Sequence, residues 1–199
     1  MGTFVKICGL TTAADVAAAV AAGADALGFV FAESPRRVSV DTAIEIARDV
    51  PDSVVRVAVM RHPSPAEWHD VATGFAPDWL QTEAADFAAL DEVSPAQRMP
   101  VYRDAPGLDI EGLYREDRAL FEAPVSGAGQ RADWDAAARL SAATRLMLAG
   151  GLDANNVGDA IVKVRPWGVD VSSGVERSRG VKDPEKIAAF VAAVRVLEN

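Results

Sequence analysis

Cysteine and histidine are scarce in this sequence. Among its 199 residues there is one cysteine, Cys8, and there are two histidines, His62 and His69. A single cysteine excludes an internal disulfide and a metal site built from several cysteines. The two histidines lack the spacing of a metal-binding pair, so we interpret both as structural or surface residues.

Basic residues are outnumbered, and long apolar runs are missing. The chain carries 20 Lys and Arg against 29 Asp and Glu, which gives a formal net charge of −9. Nucleic acid and anionic membranes attract basic surfaces, so we expect neither as a partner. No apolar run reaches the roughly 18 residues of a membrane span, and the N-terminus does not resemble a signal peptide. We therefore expect a cytoplasmic protein.

Half of the residues are nevertheless hydrophobic, and many of them form short segments about 20 to 30 residues apart. Most segments are continuously apolar, as in parallel strands that are covered on both faces. The strand candidates are Val5–Cys8, Ala26–Phe31, Val55–Met60, Asp78–Gln81, Pro100–Tyr102, Ala119–Glu122, Leu146–Leu148 and Val169–Val171.

Helical patterns separate these strands. The clear ones begin at Thr12 and at Ser64, or span Asp41–Val50, Asp133–Ala143, Ala154–Val164 and Asp183–Leu197. The weaker pattern over Asp104–Asp117 predicts a short or irregular helix.

Repeated strand–helix units predict a closed (β/α)8 barrel, or TIM barrel, of the α/β class. Such barrels typically need about 250 residues, so residues 1–199 would form a single barrel domain of minimal length. The alternative is a doubly wound open sheet, whose usual G-x-G-x-x-G turn is missing after the first strand.

The C-terminal ends of barrel strands are where this fold places its active sites. Cys8 ends the first strand. A lone cysteine in an apolar strand is most often a core residue, but here it is also a candidate general base. Lys6 lies on the same side of the strand and could favour the thiolate. Glu122, at the end of the sixth strand, is either a general acid or simply the first solvated residue.

Two turns of small residues follow the seventh and eighth strands, where this fold often binds phosphate. They contain Gly150 and Gly151, and Ser172, Ser173 and Gly174. Glycines let backbone N–H groups approach a phosphate closely. Either turn alone would be an ordinary tight turn, but the two together predict a phosphate site.

Three more polar residues stand at or near strand ends. Arg36 follows the second strand, and it could bind a carboxylate through two parallel hydrogen bonds or be a solvated surface charge. Gln81 ends the fourth strand, and Asp170 lies in the eighth.

Several longer segments match a known family. They are Val5–Thr11, Gly28–Phe31 with Ser34–Arg36, Leu148–Leu152 with Asn156-Val157, and Val169–Glu176 followed by Gly180–Asp183. Through these segments the sequence resembles the phosphoribosylanthranilate isomerase family of tryptophan biosynthesis.

The resemblance implies an Amadori rearrangement of N-(5-phosphoribosyl)anthranilate to 1-(2-carboxyphenylamino)-1-deoxyribulose 5-phosphate, with no metal or organic cofactor. It implies Cys8 as the base at C2′ and a carboxyl group after the sixth strand as the acid. Arg36 would hold the anthranilate end, and Asp170 would face the sugar hydroxyls or the reacting centre. Lys6 and Gln81 complete the substrate-binding set. The phosphate would bind at Gly150, Gly151, Ser172, Ser173 and Gly174.

The chain departs from the family pattern in three places. Glu122 stands where the family usually has Asp, and we keep it as the acid because the chemistry of the carboxyl group is the same. The segment Gln81-Thr82-Glu83-Ala84 replaces the usual Gln-Leu-His-Gly. The loop Ser126–Gln130 replaces a Gly-Gly-Thr-Gly pattern and keeps two glycines as possible hinges of a closing loop.

Two other functions stay open at this point. A related histidine-pathway or dual-substrate aminoaldose isomerase would have Asp at the end of the first strand, and Cys8 argues against it. A non-catalytic barrel that binds a phosphorylated ligand is supported only by the departures from the pattern. A small phosphorylated molecule is the partner in either case, and the chain is either a monomer or a homodimer.

Overall fold

Eight parallel strands close into a barrel in chain order, with β1 paired to β2 on one side and to β8 on the other. The structure is a computed structural model that describes residues 2–90, 92–125 and 130–198. The barrel strands are β1 Phe4–Cys8, β2 Ala26–Val30, β3 Val55–Val59, β4 Trp79–Glu83, β5 Arg98–Arg103, β6 Arg118–Glu122, β7 Arg145–Leu148 and β8 Gly168–Val171. Each predicted strand overlaps one of them, and the predicted fold class is confirmed.

The α-helices cover the outside of the barrel. They are α1 Ala13–Ala22, α2 Val40–Ile46, α3 Pro65–Gly74, α4 Ile110–Arg115, α5 Trp134–Ser141, α6 Val157–Val164 and α7 Pro184–Arg195. Side-chain caps begin several of them: the Thr12 hydroxyl accepts from Asp15 N, and Ser64 forms a capping box with Glu67. No helix in the described ranges is long and apolar enough to cross a membrane.

The helical layer is thin beside β4 and β5. Two 3-10 turns, Ala84–Ala89 and Pro95–Gln97, connect these strands in place of an α-helix. The weak pattern over Asp104–Asp117 forms only the six-residue helix α4, as predicted. Both strands also extend beyond their apolar segments, so β4 ends at Glu83 and β5 ends at Arg103.

A β-hairpin after β8 was not predicted. A 3-10 turn, Ser173–Val175, leads into β9 Glu176–Ser178, which pairs antiparallel with β10 Val181–Lys182. Strands of two or three residues are too short to show the alternation that identifies a half-buried strand. The hairpin matters because it brings Glu176 and Lys182 to the mouth of the barrel.

Side chains of β1 alternate between two apolar cores. Val5 and Ile7 point outward into the layer between strands and helices. Phe4 points inward and stacks on Trp167 with 4.7 Å between ring centroids, which closes the N-terminal end of the barrel. The same alternation turns Lys6 and Cys8 into the barrel, towards its C-terminal end.

Candidate active site

A cavity of about 240 Å³ opens at the C-terminal ends of the strands. Of the predicted site residues, it is lined by Cys8, Arg36, Gln81, Glu122, Gly150, Gly151, Asp170, Ser172 and Ser173. Lys6 and Gly174 are the two predicted residues that do not line it. Strand ends that are distant in sequence therefore line one cavity.

Lys6 lies beneath the cavity and supports its floor. It is completely buried, and its Nζ donates to Oδ1 of Asp170 at 2.8 Å. The register of β1 against β8 places these two residues side by side. Burial by itself would lower the pKa of Lys6, but the carboxylate of Asp170, together with the Cys8 thiolate where it forms, outweighs burial and raises that pKa. Lys6 therefore supports Asp170 in this structure, and its predicted contact with the substrate stays a prediction.

Cys8 is held mainly as a thiol. Burial raises its pKa and the charge of Asp170 adds to this, whereas Lys6 and Lys182 pull the pKa down. Lys6 thus acts in the direction that the sequence suggested, but burial outweighs it.

The space for the sulfur depends on the facing glycine in β2. Cys8 pairs with Gly28, where a Cβ would lie 2.9 Å from Sγ and 3.2 Å from Nζ of Lys6. No real Cβ fits at such distances without displacement of a neighbour. Gly28 therefore leaves room for both Cys8 and Lys6.

Arg36 is fixed by two residues that the sequence analysis missed. Its Nε donates to Oε1 of Glu176 at 2.6 Å, and its Nη2 donates to Oε2 at 3.0 Å. Lys182 donates to the same Oε1 at 2.9 Å and to the Ser172 carbonyl at 2.8 Å. Guanidinium has five donors, so Arg36 retains others for a ligand in the cavity.

The charge state of this cluster follows from its contacts. Burial would raise the pKa of Glu176, but the hydrogen bonds from Arg36 and Lys182 lower it to about 2. Glu176 and Lys182, which were not predicted as site residues, both lie in segments that resemble the family. Arg36 and Glu176 are 140 positions apart, so no local sequence pattern indicates that they pair.

The two predicted phosphate turns touch each other at the cavity wall. Gly150 and Gly151 have φ values of 92° and 62°, which favour glycine. A Cβ on Gly174 would overlap the carbonyl oxygen of Leu152, so the turn after β8 packs directly against the turn after β7. The first N–H groups of the 3-10 turn that begins at Ser173 have no partner within that turn. They are suited to bind an anion.

The opposite wall carries two carboxylates, a guanidinium and an amide. Glu122 accepts from Nη1 of Arg103 at 2.8 Å, and Arg103 also donates to Glu83. Gln81 is buried, and its Oε1 has no hydrogen-bond partner in the described part of the chain. An unpaired buried amide oxygen at a cavity wall is available to a donor on a ligand. Arg103 was not predicted as a site residue, although it ends β5.

The remaining predictions concern metals, histidines and a loop. No cluster of His, Cys, Asp and Glu in residues 2–90, 92–125 and 130–198 could hold a metal ion. His62 and His69 are exposed, and His62 contacts Asp86. The loop Ser126–Gln130 lies outside the described residues except for Gln130, so its role as a closing loop stays a prediction.

A family comparison decides which reaction this geometry belongs to. The profile of the family described as N-(5'phosphoribosyl)anthranilate (PRA) isomerase matches residues 5–193. The chain belongs to this family. The resemblance in the sequence is thereby confirmed, and so is the assignment to a family of isomerases.

Relatives of the phosphoribosylanthranilate isomerase family match over almost the whole length. N-(5'-phosphoribosyl)anthranilate isomerase of Listeria monocytogenes serovar 1/2a is 41% identical over 98% of this chain and 99% of its own. The crystal structure of phosphoribosyl anthranilate isomerase from Thermus thermophilus has a TM-score of 0.88 at 31% identity, and it covers 98% of this chain and 100% of its own.

A third comparison bears on the ligand. A phosphoribosyl anthranilate isomerase in complex with reduced 1-(o-carboxyphenylamino)-1-deoxyribulose 5-phosphate has a TM-score of 0.84 at 31% identity. It covers 98% of this chain and 99% of its own. That protein therefore binds a phosphorylated ligand on the same fold.

Proposed function

We propose that this chain isomerises N-(5-phosphoribosyl)anthranilate to 1-(2-carboxyphenylamino)-1-deoxyribulose 5-phosphate, a step of tryptophan biosynthesis. One observation carries the proposal. A single cavity at the strand ends is lined by Cys8, by Glu122 across the mouth, and by the two turns at Gly150-Gly151 and Ser172-Ser173. A base, an acid and an anion site around one ligand are what an aldose–ketose rearrangement of a sugar phosphate requires.

Binding fixes the two anionic ends of the substrate. The phosphate lies against the turns after β7 and β8, including Gly174, where glycines allow backbone N–H groups to approach it closely. Arg36 binds the anthranilate carboxylate with donors that Glu176 leaves unused. Gln81 accepts a hydrogen bond from the substrate at Oε1, for which the described residues provide no donor. With both ends fixed, the reacting carbons lie between Cys8 and Glu122.

The first chemical step opens the sugar ring. Glu122, in its protonated form, donates its proton to the ring oxygen as the bond between C1′ and that oxygen breaks. The lone pair of the anthranilate nitrogen forms the second bond to C1′, which gives a protonated Schiff base.

The second step converts the Schiff base at C1′ into a ketone at C2′. The Cys8 thiolate takes the proton from C2′, and the C–H electron pair forms a C1′–C2′ double bond while the iminium pair returns to nitrogen. The enolamine then gains a proton at C1′ and loses one from the 2′-hydroxyl, which leaves the ketone. Asp170, held by Lys6 at 2.8 Å, faces this part of the sugar.

Replacement of the base tests the proposal. Cys8→Ala and Cys8→Ser should lower kcat by about 10² to 10⁴, the usual contribution of a general base, while the melting temperature changes little. Turnover is followed as loss of substrate fluorescence, and complementation of a tryptophan auxotroph that lacks this step provides a second readout. Normal complementation by Cys8→Ala would exclude Cys8 as the base. Retained ligand binding without turnover in the unmodified protein would favour a non-catalytic barrel.

A further inference from the structure

Three charged residues from neighbouring strands form one cluster on the wall that carries Glu122. Arg103 of β5 stands in register with Glu122 of β6, and Glu83 ends the adjacent strand β4. Nη1 of Arg103 lies 2.8 Å from Oε1 of Glu122, and its Nε lies 2.9 Å from Oε1 of Glu83. The Nη2 atom of Arg103 also contacts Glu83. All three side chains are largely buried and line the cavity.

We propose that Arg103, oriented by Glu83, is a positioning residue that holds the Glu122 carboxyl group against the ring oxygen of the substrate. This inference rests on the proposed role of Glu122 as the acid. Arg103 acts through Glu122 and contributes no proton of its own, because guanidinium stays protonated throughout the working pH range.

The shape of the cluster supports this division of roles. Nε and Nη2 of the guanidinium contact Glu83, whereas Nη1 contacts Glu122. A planar guanidinium that is fixed along one edge presents its remaining N–H groups in one direction. Glu83 therefore sets the orientation, and Arg103 transmits it to Glu122.

The length of the Glu122 side chain explains why such a support is useful. Glutamate has one more rotatable bond than aspartate, so its carboxyl group has more conformations to lose before it can donate in one direction. A hydrogen bond from Arg103 selects one of them. A misplacement of about 1 Å at a reacting group can cost about 100-fold in rate.

The charges of the cluster fit proton donation as well. When Glu122 gives up its proton it becomes a carboxylate, and the adjacent guanidinium stabilises that charge. Glu83 shares the same guanidinium, so Arg103 is not the counter-ion of Glu122 alone. Burial would lower the pKa of Arg103, but the two carboxylates raise it, so the cation persists.

The test is a double-mutant cycle in kcat. Arg103→Met should lower kcat about 10- to 100-fold with little change in KM, and Arg103→Lys should recover part of the loss because it keeps the charge without the planar fork. In Glu122→Asp, whose carboxyl group is one methylene further from Arg103, the same Arg103→Met change should cost clearly less. Glu83→Gln should lower kcat by a smaller factor, and it should have no further effect in Arg103→Met.

Controls separate positioning from general structural damage. Arg115→Met removes an exposed arginine that pairs with Glu111 on the same helix, and it should leave kcat unchanged. Melting curves show whether each variant is folded, and Arg103→Gln replaces Arg103→Met in the cycle if the latter does not fold.

The outcomes distinguish this inference from the proposed function. An unchanged kcat in Arg103→Met, an equal loss in the wild-type and Glu122→Asp backgrounds, or a change in KM alone would overturn the inference and leave the acid assignment intact. Normal turnover by Glu122→Gln would overturn the acid assignment, and the positioning role of Arg103 with it.

Discussion

The two walls of the active-site cavity are built differently. On the side of β8, β1 and β2, charged groups form pairs whose side chains are at most 10% exposed, Lys6 with Asp170 and Arg36 with Glu176. On the side of β4, β5 and β6, the side chains of Glu83 and Arg103 are 20% and 23% exposed. The departures from the family pattern within the described residues, at Thr82 to Ala84 and at Glu122, fall on the more exposed side.

This difference assigns a separate task to each wall. The buried pairs lock Arg36, Asp170 and the Ser172 turn in place, so this wall is suited to hold the phosphate and the carboxylate. The opposite wall holds Glu122 in a hydrogen-bonded cluster with one shared cation, Arg103. Under the proposed function, anchoring of the substrate depends on fixed ion pairs, whereas the acid depends on how its neighbours orient it.

The largest effect should come from the buried wall. Glu176→Gln leaves Arg36 and Lys182 buried without their carboxylate, and loss of one partner of a buried pair costs about 3–5 kcal/mol in the free energy of unfolding. KM should rise as well, because Arg36 loses its orientation. Urea denaturation and steady-state kinetics at pH 7 measure the two effects.

A matched control and a pH series test whether the loss of stability comes from the buried charge of Glu176. Glu185→Gln removes an exposed carboxylate at the start of α7 and should change stability by less than about 0.5 kcal/mol. The folded pKa of Glu176, about 2, lies below its ordinary value of 4.5, so its stabilisation is present above pH 4.5 and is lost as the pH falls towards 2. The difference in the free energy of unfolding between wild type and Glu176→Gln should therefore decrease below pH 4.5. A constant difference would contradict the assignment of Glu176 as a carboxylate with a lowered pKa.

A smaller effect on stability is expected at Gly28, which leaves space for the Cys8 side chain in the buried wall. Gly28→Ala places a Cβ 2.9 Å from Sγ of Cys8, so the thiol or β2 must shift, and kcat should fall about 10- to 100-fold. Overpacking of this kind typically costs about 1–3 kcal/mol of stability. Gly158→Ala in α6 is the control, because its Cβ would have no heavy atom closer than 4.0 Å, and it should stabilise the helix by up to about 1 kcal/mol. Equal kinetics in the two variants would show that Gly28 does not set the position of Cys8.

The same contrast between walls explains what could be predicted from the sequence. The inward orientation of Cys8 and Lys6 could be predicted because a strand has a period of two and apolar segments mark the strands. The location of the glycine and serine turns beside the cavity could be predicted because the fold fixes where the loops after the seventh and eighth strands lie, whereas phosphate binding there stays a prediction.

The missed residues depend on information that is not local. Glu176 meets Arg36 across 140 residues through a hairpin of two- and three-residue strands. Arg103 and Glu83 belong to strands that extend past their apolar segments, because hydrogen bonds to neighbouring strands continue where hydrophobicity ends. A site built from such pairs cannot be predicted from local sequence patterns, because its members meet only in the folded barrel.

The smallest predicted effect is the change in the reactivity of Cys8 over one pH unit. Burial and Asp170 raise the pKa of Cys8, so the thiolate is the minor form at neutral pH in the free protein. Cys8 lines the cavity and is the one cysteine of the sequence, so its alkylation by iodoacetamide reports its thiolate alone. The rate constant of alkylation should increase by up to about tenfold per pH unit from pH 7 upward, until the pKa of Cys8 is passed. Alkylation rates at pH 6 to 9, with melting curves at each pH, measure this rise. A rate constant that stays the same above pH 7 would mean that the thiolate is already formed, and that Lys6 and Lys182 outweigh burial. The buried wall would then supply the charge that activates the base as well as the anchors for the substrate.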